Sequence, residues 1–129
     1  MRYLLDTHVF LWACAEKLST KVIEIIQNPQ SILFLSCASI WEISIKMSIG
    51  KLKILSEEIN FKIFVEDSIK NLGLIELQIQ NKHIFTLHEL PYIHKDPFDR
   101  LLIAQALSED LTLITSDDYI RRYNIKVVW

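Results

Sequence analysis

Apolar residues in this chain fall into short continuous runs, which are separated by longer segments with helical spacing. Short continuous runs are typical of strands covered on both faces, and they predict strands over Tyr3–Asp6, Ile32–Ser36, Leu74–Ile79, Thr112–Thr115 and Ile125–Trp129. Apolar residues that recur every third or fourth position predict helices over Thr20–Asn28, Ala38–Ile49, Ile59–Leu72 and Pro97–Glu109. Strands that alternate with helices indicate an α/β fold, in which helices cover both faces of a parallel sheet.

Composition predicts one globular domain over residues 1–129, because 50% of the residues are hydrophobic and 23% are charged. No apolar run approaches the roughly 18 residues of a membrane span, and Asp6 interrupts the first apolar run. We therefore expect a cytoplasmic protein with no signal peptide and no membrane partner. Cys14 and Cys37 form no CxxC metal pattern, and we expect both to be reduced and buried. The net charge of -2 does not by itself favour nucleic-acid binding.

Acidic residues follow two of the predicted strands. Asp6 ends the first strand, and Asp117 follows the fourth. Ligands of parallel α/β sheets bind beyond the carboxyl ends of the strands, so these two residues are candidates for a site.

Two further carboxylates occupy helix positions where an apolar residue is expected. The predicted sheet-facing stripes contain Ala38, Glu42, Ile45 and Ile49 in one helix and Asp99, Ile103 and Ala106 in another. A buried carboxylate is costly unless a cation lies beside it or its pKa is raised. No obvious buried Arg or Lys neutralises these acids, so the four carboxylates suggest a divalent cation. Ligands that are all oxygen favour Mg²⁺ or Mn²⁺ over zinc.

Each acid also has a simpler interpretation. Asp6 and Asp117 could each cap a helix that follows, as Asp commonly does. Asp99 could instead stabilise the positive end of a helix dipole, and Glu42 could be a solvated surface residue.

At these acids the sequence resembles the PIN domain family, and most of all its VapC-type toxins of bacterial toxin–antitoxin pairs. The matching segments span nearly the whole chain: LLDTHVFLW (Leu4–Trp12), SIWEISIKMSIGKL (Ser39–Leu52), HKDPFDRLLIAQA (His94–Ala106) and LITSDDYI (Leu113–Ile120). By that match, Asp6, Glu42, Asp99 and Asp117 correspond to the acidic quartet that is catalytic and binds the metal. One departure is His8, where many PIN domains have Asn or Asp.

The resemblance implies a three-layer α/β/α sandwich with a five-stranded parallel sheet in the order 3-2-1-4-5. It also implies a metal-dependent endoribonuclease that hydrolyses RNA with carboxylate-bound Mg²⁺ or Mn²⁺. The partners it implies are RNA, a second copy of the chain in a homodimer, and a small antitoxin protein. The alternative is a non-catalytic PIN-fold module that binds RNA or protein. The chain has no G-x-G-x-x-G or P-loop motif, so a nucleotide-binding function is disfavoured.

Several residues near the acids are auxiliary candidates. Thr7 follows the first acid and Ser116 precedes the fourth, while Lys46 and Arg100 lie where they could guide an RNA backbone. Weaker candidates for a basic rim are Lys51, Lys53 and Lys95. Two aromatic residues, Trp12 and Tyr119, could stack a base, although packing is the commoner role. The scattered histidines His83, His88 and His94 receive no catalytic role.

The two aspartates in HKDPFDR receive different roles. Pro97 is favoured at the first position of a helix, which makes Asp96 the N-cap. We therefore predict that Asp96 is structural and that Asp99 belongs to the site.

Overall fold

A computed structural model describes residues 1–15, 17–52 and 60–129. Five parallel strands form one sheet in the order β3-β2-β1-β4-β5, which confirms the predicted fold class and strand order. The strands are β1 (Arg2–Leu5), β2 (Ile32–Ser36), β3 (Leu74–Leu77), β4 (Thr112–Ile114) and β5 (Val127–Val128). The central strand β1 pairs with β2 on one side, where Leu4 lies opposite Phe34, and with β4 on the other.

Helices cover both faces of this sheet. They are α1 (Thr7–Cys14), α2 (Thr20–Gln27), α3 (Cys37–Ser48), α4 (Phe61–Leu72), α5 (Asn81–Glu89) and α6 (Pro97–Glu109), and a short 3₁₀ helix follows at Ile120–Arg122. The sequence pattern missed α1 and α5. The predicted start of α4 at Ile59 and the candidate rim residue Lys53 lie outside the described residues. Within the described part of the chain, every helix is too short or too polar to traverse a lipid bilayer.

Alternation along β1 divides the core between the two faces, because successive side chains of a strand point in opposite directions. Tyr3 and Leu5 belong to the core that contains Phe10 of α1. Leu4 belongs to the opposite core, which contains Leu102 of α6.

Local sequence explains where the helices that carry acids begin. Ser36 caps α3, since its side chain accepts a hydrogen bond from the Ala38 N–H. Asp96 caps α6 and accepts bonds from two backbone N–H groups, with Pro97 in the first turn. The predicted N-cap role of Asp96 is therefore confirmed, and Asp99 lies in the first turn.

Two expectations about burial are wrong. The buried residues of α3 are Ala38, Ser39, Glu42 and Ile43, all in its first seven residues, so the predicted stripe does not continue through Ile45 and Ile49. Both isoleucines are exposed, whereas Met47 in the same half of the helix packs against the core. The free cysteines are also not buried, since Cys14 is exposed and Cys37 is partly exposed.

Candidate metal centre

The predicted acids gather at the carboxyl edge of the sheet. Asp6 directly follows β1, and Asp117 comes three residues after the end of β4. Glu42 lies in α3, which starts where β2 ends, and Asp99 lies in the first turn of α6. Four separate segments of the chain therefore contribute one carboxylate each to the same edge.

Thr115 links the first and the fourth acid. Its hydroxyl donates to Asp6 Oδ2 and accepts a 3.0 Å bond from the Asp117 N–H. Asp6 is only 4% exposed. Burial raises the pKa of Asp6, the bonds from Thr115 and the Val9 N–H oppose that rise, and the charge of Asp117 adds to it. Asp6 and Asp117 are thus close enough to repel each other.

His94 and Asp99 form a second link. His94 Nε2 lies 2.7 Å from Asp99 Oδ2, and both side chains are 15% exposed. Burial, followed by the charges of Asp96 and Glu42, raises the pKa of Asp99 from 3.8 to about 7, against the opposing effect of His94. One ligating atom from each of His94, Asp99 and Asp117 lies within 4.8 Å of the other two, which is close enough to hold one metal ion.

Glu42 lies near this group, because its charge acts on Asp99, but neither Glu42 nor Asp6 is among the three residues whose ligating atoms lie within 4.8 Å of one another. Glu42 is 2% exposed, and its Oε1 is buried without a hydrogen-bond partner. Its Oε2 lies 2.7 Å from Lys46 Nζ. Lys46, whose side chain is 34% exposed, is therefore not a buried counter-charge, and it reaches only one of the two Glu42 oxygens.

Two features of the structure indicate that these residues could bind a divalent cation. A buried carboxylate oxygen without a partner and raised pKa values at two aspartates both mark negative charge that the described residues do not fully compensate. A bound cation would compensate it, and oxygen-rich ligands suit Mg²⁺ or Mn²⁺.

The capping interpretation of the aspartates is compatible with this site. Asp6 Oδ1 accepts a 2.7 Å bond from Val9 N–H at the start of α1. Asp117 Oδ1 accepts bonds from the N–H groups of Tyr119 and Ile120. Each cap occupies one oxygen; the second oxygen of Asp6 accepts the Thr115 hydroxyl, and no described hydrogen bond occupies the second oxygen of Asp117. The two interpretations that the sequence left open are not exclusive.

The auxiliary candidates are placed unevenly. Thr7 is buried, and its hydroxyl donates a 2.9 Å hydrogen bond to Ser39 Oγ. This bond joins α1 to α3. Ser116 is partly buried, but the hydroxyl that contacts Asp6 belongs to its neighbour Thr115. Arg100 donates to the carbonyls of Leu87 and Pro91 and to the Tyr123 hydroxyl. These bonds hold the guanidinium within the protein, so a role in guiding RNA stays a prediction.

The aromatic candidates both have partners inside the protein. The Tyr119 ring stacks on His94 with a centroid distance of 5.2 Å, and the Arg122 guanidinium lies 4.7 Å from its centroid. Trp12 packs on Trp129 with centroids 5.6 Å apart. Tyr119 is nevertheless 50% exposed, so a role in stacking a base stays a prediction.

Sequence reasoning missed His94 and Thr115. Thr115 directly follows β4 and was the last residue of the predicted strand Thr112–Thr115. A hydroxyl residue at the end of a strand is a signal that could have identified it. His94 opens HKDPFDR five residues before Asp99, in a loop, and loop geometry cannot be derived from hydrophobic spacing. The structure instead brings the imidazole onto the third acid.

Comparisons with known proteins agree with the fold. The family model of the PIN domain matches residues 3–126. Similar solved structures include VapBC2 from Rickettsia felis bound to a DNA fragment from their promoter (TM-score 0.75, 17% identity, covering 100% of this chain and 99% of that one). Another is VapBC-1 from nontypeable Haemophilus influenzae (TM-score 0.64, 19% identity, covering 99% and 97%). A third is FitAcB from Neisseria gonorrhoeae (TM-score 0.58, 16% identity, covering 98% and 96%). Among curated proteins, none matches the chain significantly.

Proposed function

The chain belongs to the PIN domain family, and we propose that it is a metal-dependent endoribonuclease, the VapC-type toxin of a type II toxin–antitoxin pair. The observation that carries the proposal is the concentration of poorly compensated negative charge at one sheet edge. The buried, unpartnered Glu42 Oε1 and the raised pKa of Asp99 express that charge most clearly.

Asp6, Glu42, Asp99 and Asp117 would hold the cation. Bound there, Mg²⁺ or Mn²⁺ would stabilise the negative charge that develops on a phosphate and make a nearby water more acidic. The protein's own contribution is placement. Thr115 fixes Asp6, the helix caps fix Asp6 and Asp117, and Lys46 fixes one oxygen of Glu42. Side chains held in this way need little rearrangement when substrate binds.

Support for RNA as the substrate comes from the resemblance of all four acidic motifs. It also comes from basic residues beside an otherwise acidic centre. Lys46 is 34% exposed in its side chain. Arg121 and Arg122 are exposed in the 3₁₀ helix that follows Asp117. Such cations would attract a phosphate backbone that the acids alone would repel.

An antitoxin partner and a homodimer are part of the same proposal. The VapBC assemblies of similar fold support the first. Large apolar side chains on α3 and α5 support a protein interface, since Trp41 is 57% exposed and Phe85 is 68% exposed. Light scattering should give a dimer mass, and a clean monomer at high micromolar concentration would contradict the homodimer. Co-purification with the product of the neighbouring gene should recover the antitoxin.

The decisive experiment is cleavage of a mixed RNA pool by the purified protein with Mg²⁺, with Mn²⁺ and with EDTA. We expect cleavage with either metal and none with EDTA or with Asp6→Asn. Sequencing the new 5′ ends would then identify the target. RNA binding without cleavage by the wild-type protein in both metals would instead support the non-catalytic module.

A further inference from the structure

His94 is anchored at three points in the loop between α5 and α6. Its backbone N–H donates a 2.9 Å hydrogen bond to the Tyr123 hydroxyl. Its ring stacks on Tyr119, with the two planes 17° apart. Its Nε2 lies 2.7 Å from Asp99 Oδ2. Main chain, ring plane and ring nitrogen are thus all fixed.

These anchors come from the segment that follows the fourth acid. Tyr123 is buried, and its hydroxyl also accepts bonds from the Ile93 N–H and Arg100. Tyr119 is held over Arg122. The segment after Asp117 therefore sets the position of His94, and His94 in turn contacts Asp99. This chain of contacts connects the third acidic segment to the fourth.

The geometry favours a role through Asp99 over direct ligation of a metal by His94. A histidine that binds a metal normally donates its other ring N–H to a protein acceptor. Among the described hydrogen bonds, His94 makes none through Nδ1, whereas its Nε2 is already engaged by the carboxylate. Mg²⁺ also prefers oxygen ligands to imidazole.

We propose that His94 is a positioning residue, which orients the Asp99 carboxylate toward the metal centre by donating Nε2–H to Oδ2. The inference rests on the proposed function and deepens it, since the sequence pattern gave His94 no role. The side chain of Asp99 then has Oδ2 fixed by the imidazole and Oδ1 available to a cation. Loss of such an outer-shell partner typically costs about 10–100-fold in metal affinity or activity.

Two substitutions separate the hydrogen bond from the ring. His94→Phe keeps an aromatic ring against Tyr119 and removes the N–H donor. His94→Gln removes the ring and retains an N–H donor at a similar reach. His88→Phe is the matched control, because His88 is exposed on α5. Titration followed by electron paramagnetic resonance gives the Mn²⁺ dissociation constant, and RNA cleavage assays give kcat and KM. A pulsed electron paramagnetic resonance spectrum of the Mn²⁺-loaded wild type shows whether a nitrogen atom is bonded to the metal.

We expect His94→Phe to lose about 10–100-fold in Mn²⁺ affinity or kcat, with KM for RNA unchanged. His94→Gln should recover most of that loss, and His88→Phe should match the wild type. The wild-type spectrum should show no directly bonded nitrogen.

Two results would overturn the inference while leaving the proposed function intact. One is wild-type metal binding and cleavage in His94→Phe. The other is a directly bonded nitrogen signal that disappears in a His94 variant, since this would make His94 a ligand. If His94→Phe fails to fold, rescue by His94→Gln and the wild-type spectrum still decide the matter. A wild type that neither binds Mn²⁺ nor cleaves RNA would overturn the proposed function, and this inference with it.

Discussion

The molecule contains two histidine–carboxylate pairs of similar length in very different surroundings. His94 Nε2 lies 2.7 Å from Asp99 Oδ2 at the sheet edge. His83 Nε2 lies 2.9 Å from Glu109 Oε1 where α5 meets α6. Burial and two neighbouring acids raise the pKa of Asp99, whereas the bonds from Lys82 and His83 lower the pKa of Glu109.

The difference between the pairs lies in what surrounds them. Lys82 Nζ lies 2.7 Å from Glu109, so the carboxylate of that pair has a cationic partner in addition to His83. His83 is fully buried, and its Nδ1 accepts the Gln80 N–H at the start of α5. The Glu109 pair thus closes a helix junction. Asp99 instead lies near two other acids, as the proposed metal site requires.

The largest expected effect is on cleavage. Asp99→Asn should reduce metal-dependent RNA cleavage by more than the roughly 100-fold that loss of an outer-shell partner costs, because it removes a direct ligand. Glu109→Gln should leave cleavage within about twofold, because the partners of Glu109 are Arg2, Lys82 and His83, none of which belongs to the proposed site. Initial rates at saturating Mn²⁺ would measure both. Equal losses in the two variants would show that the pairs do not differ in function.

The next effect is on the pH dependence of stability without metal. The folded pKa of Asp99 is about 7, above its ordinary value of 3.8, so between these pH values the folded state holds more protons than the unfolded state. Stability should therefore fall as pH rises through this window. The pKa of Glu109 is lowered, so its contribution is present above its ordinary value of 4.5 and is lost as pH falls further.

Thermal melts in EDTA from pH 4 to pH 8 would measure these slopes. Asp99→Asn should flatten the decline toward pH 7 and melt several degrees higher than the wild type at pH 8. Glu109→Gln should leave that decline in place and slightly lower the melting temperature at neutral pH. A wild type whose stability rises steadily from pH 4 to pH 7, with Asp99→Asn unchanged, would contradict the assigned pKa of Asp99.

Adding a metal should reduce the contrast between the pairs. Saturating Mn²⁺ would compensate the charge at Asp99 and increase the free energy of unfolding by RT ln(1 + [L]/Kd), about 2.7 kcal/mol at 100 times Kd, which raises the melting temperature. The stabilisation should be absent in Asp6→Asn and retained in Glu109→Gln. A matched thermal-shift titration of the three proteins decides this, and identical Mn²⁺ responses would count against a metal centre at the sheet edge.

The parts of this site that sequence could predict follow from periodicity. The runs that form β1 and β4 lie beside each other in the sheet, so acids at their ends could be placed together. The start of α6 followed from Pro97, which separated Asp96 from Asp99. Helix α1 was missed because THVFLWAC is apolar on nearly every side and has no amphipathic period. Lys46 on Glu42 and His94 on Asp99 depend on side-chain conformations and loop geometry, which spacing does not encode.

The smallest effect concerns Asp96, which caps α6 and also raises the pKa of Asp99 by its charge. Asp96→Ala removes both contributions, and the lost cap should cost about 0.5–2 kcal/mol of stability while cleavage is retained. Asp96→Asn is the matched control, because Asn caps a helix about as well as Asp but carries no charge. It should keep most of the stability and shift the pH-dependent decline to a lower pH, since Asp99 then has one acidic neighbour fewer. Melting curves and cleavage rates for both variants would test this. If Asp96→Ala abolished cleavage while Asp99→Asn preserved it, the third acid of the site would be Asp96. The His94–Asp99 pair would then have no more part in cleavage than the His83–Glu109 pair.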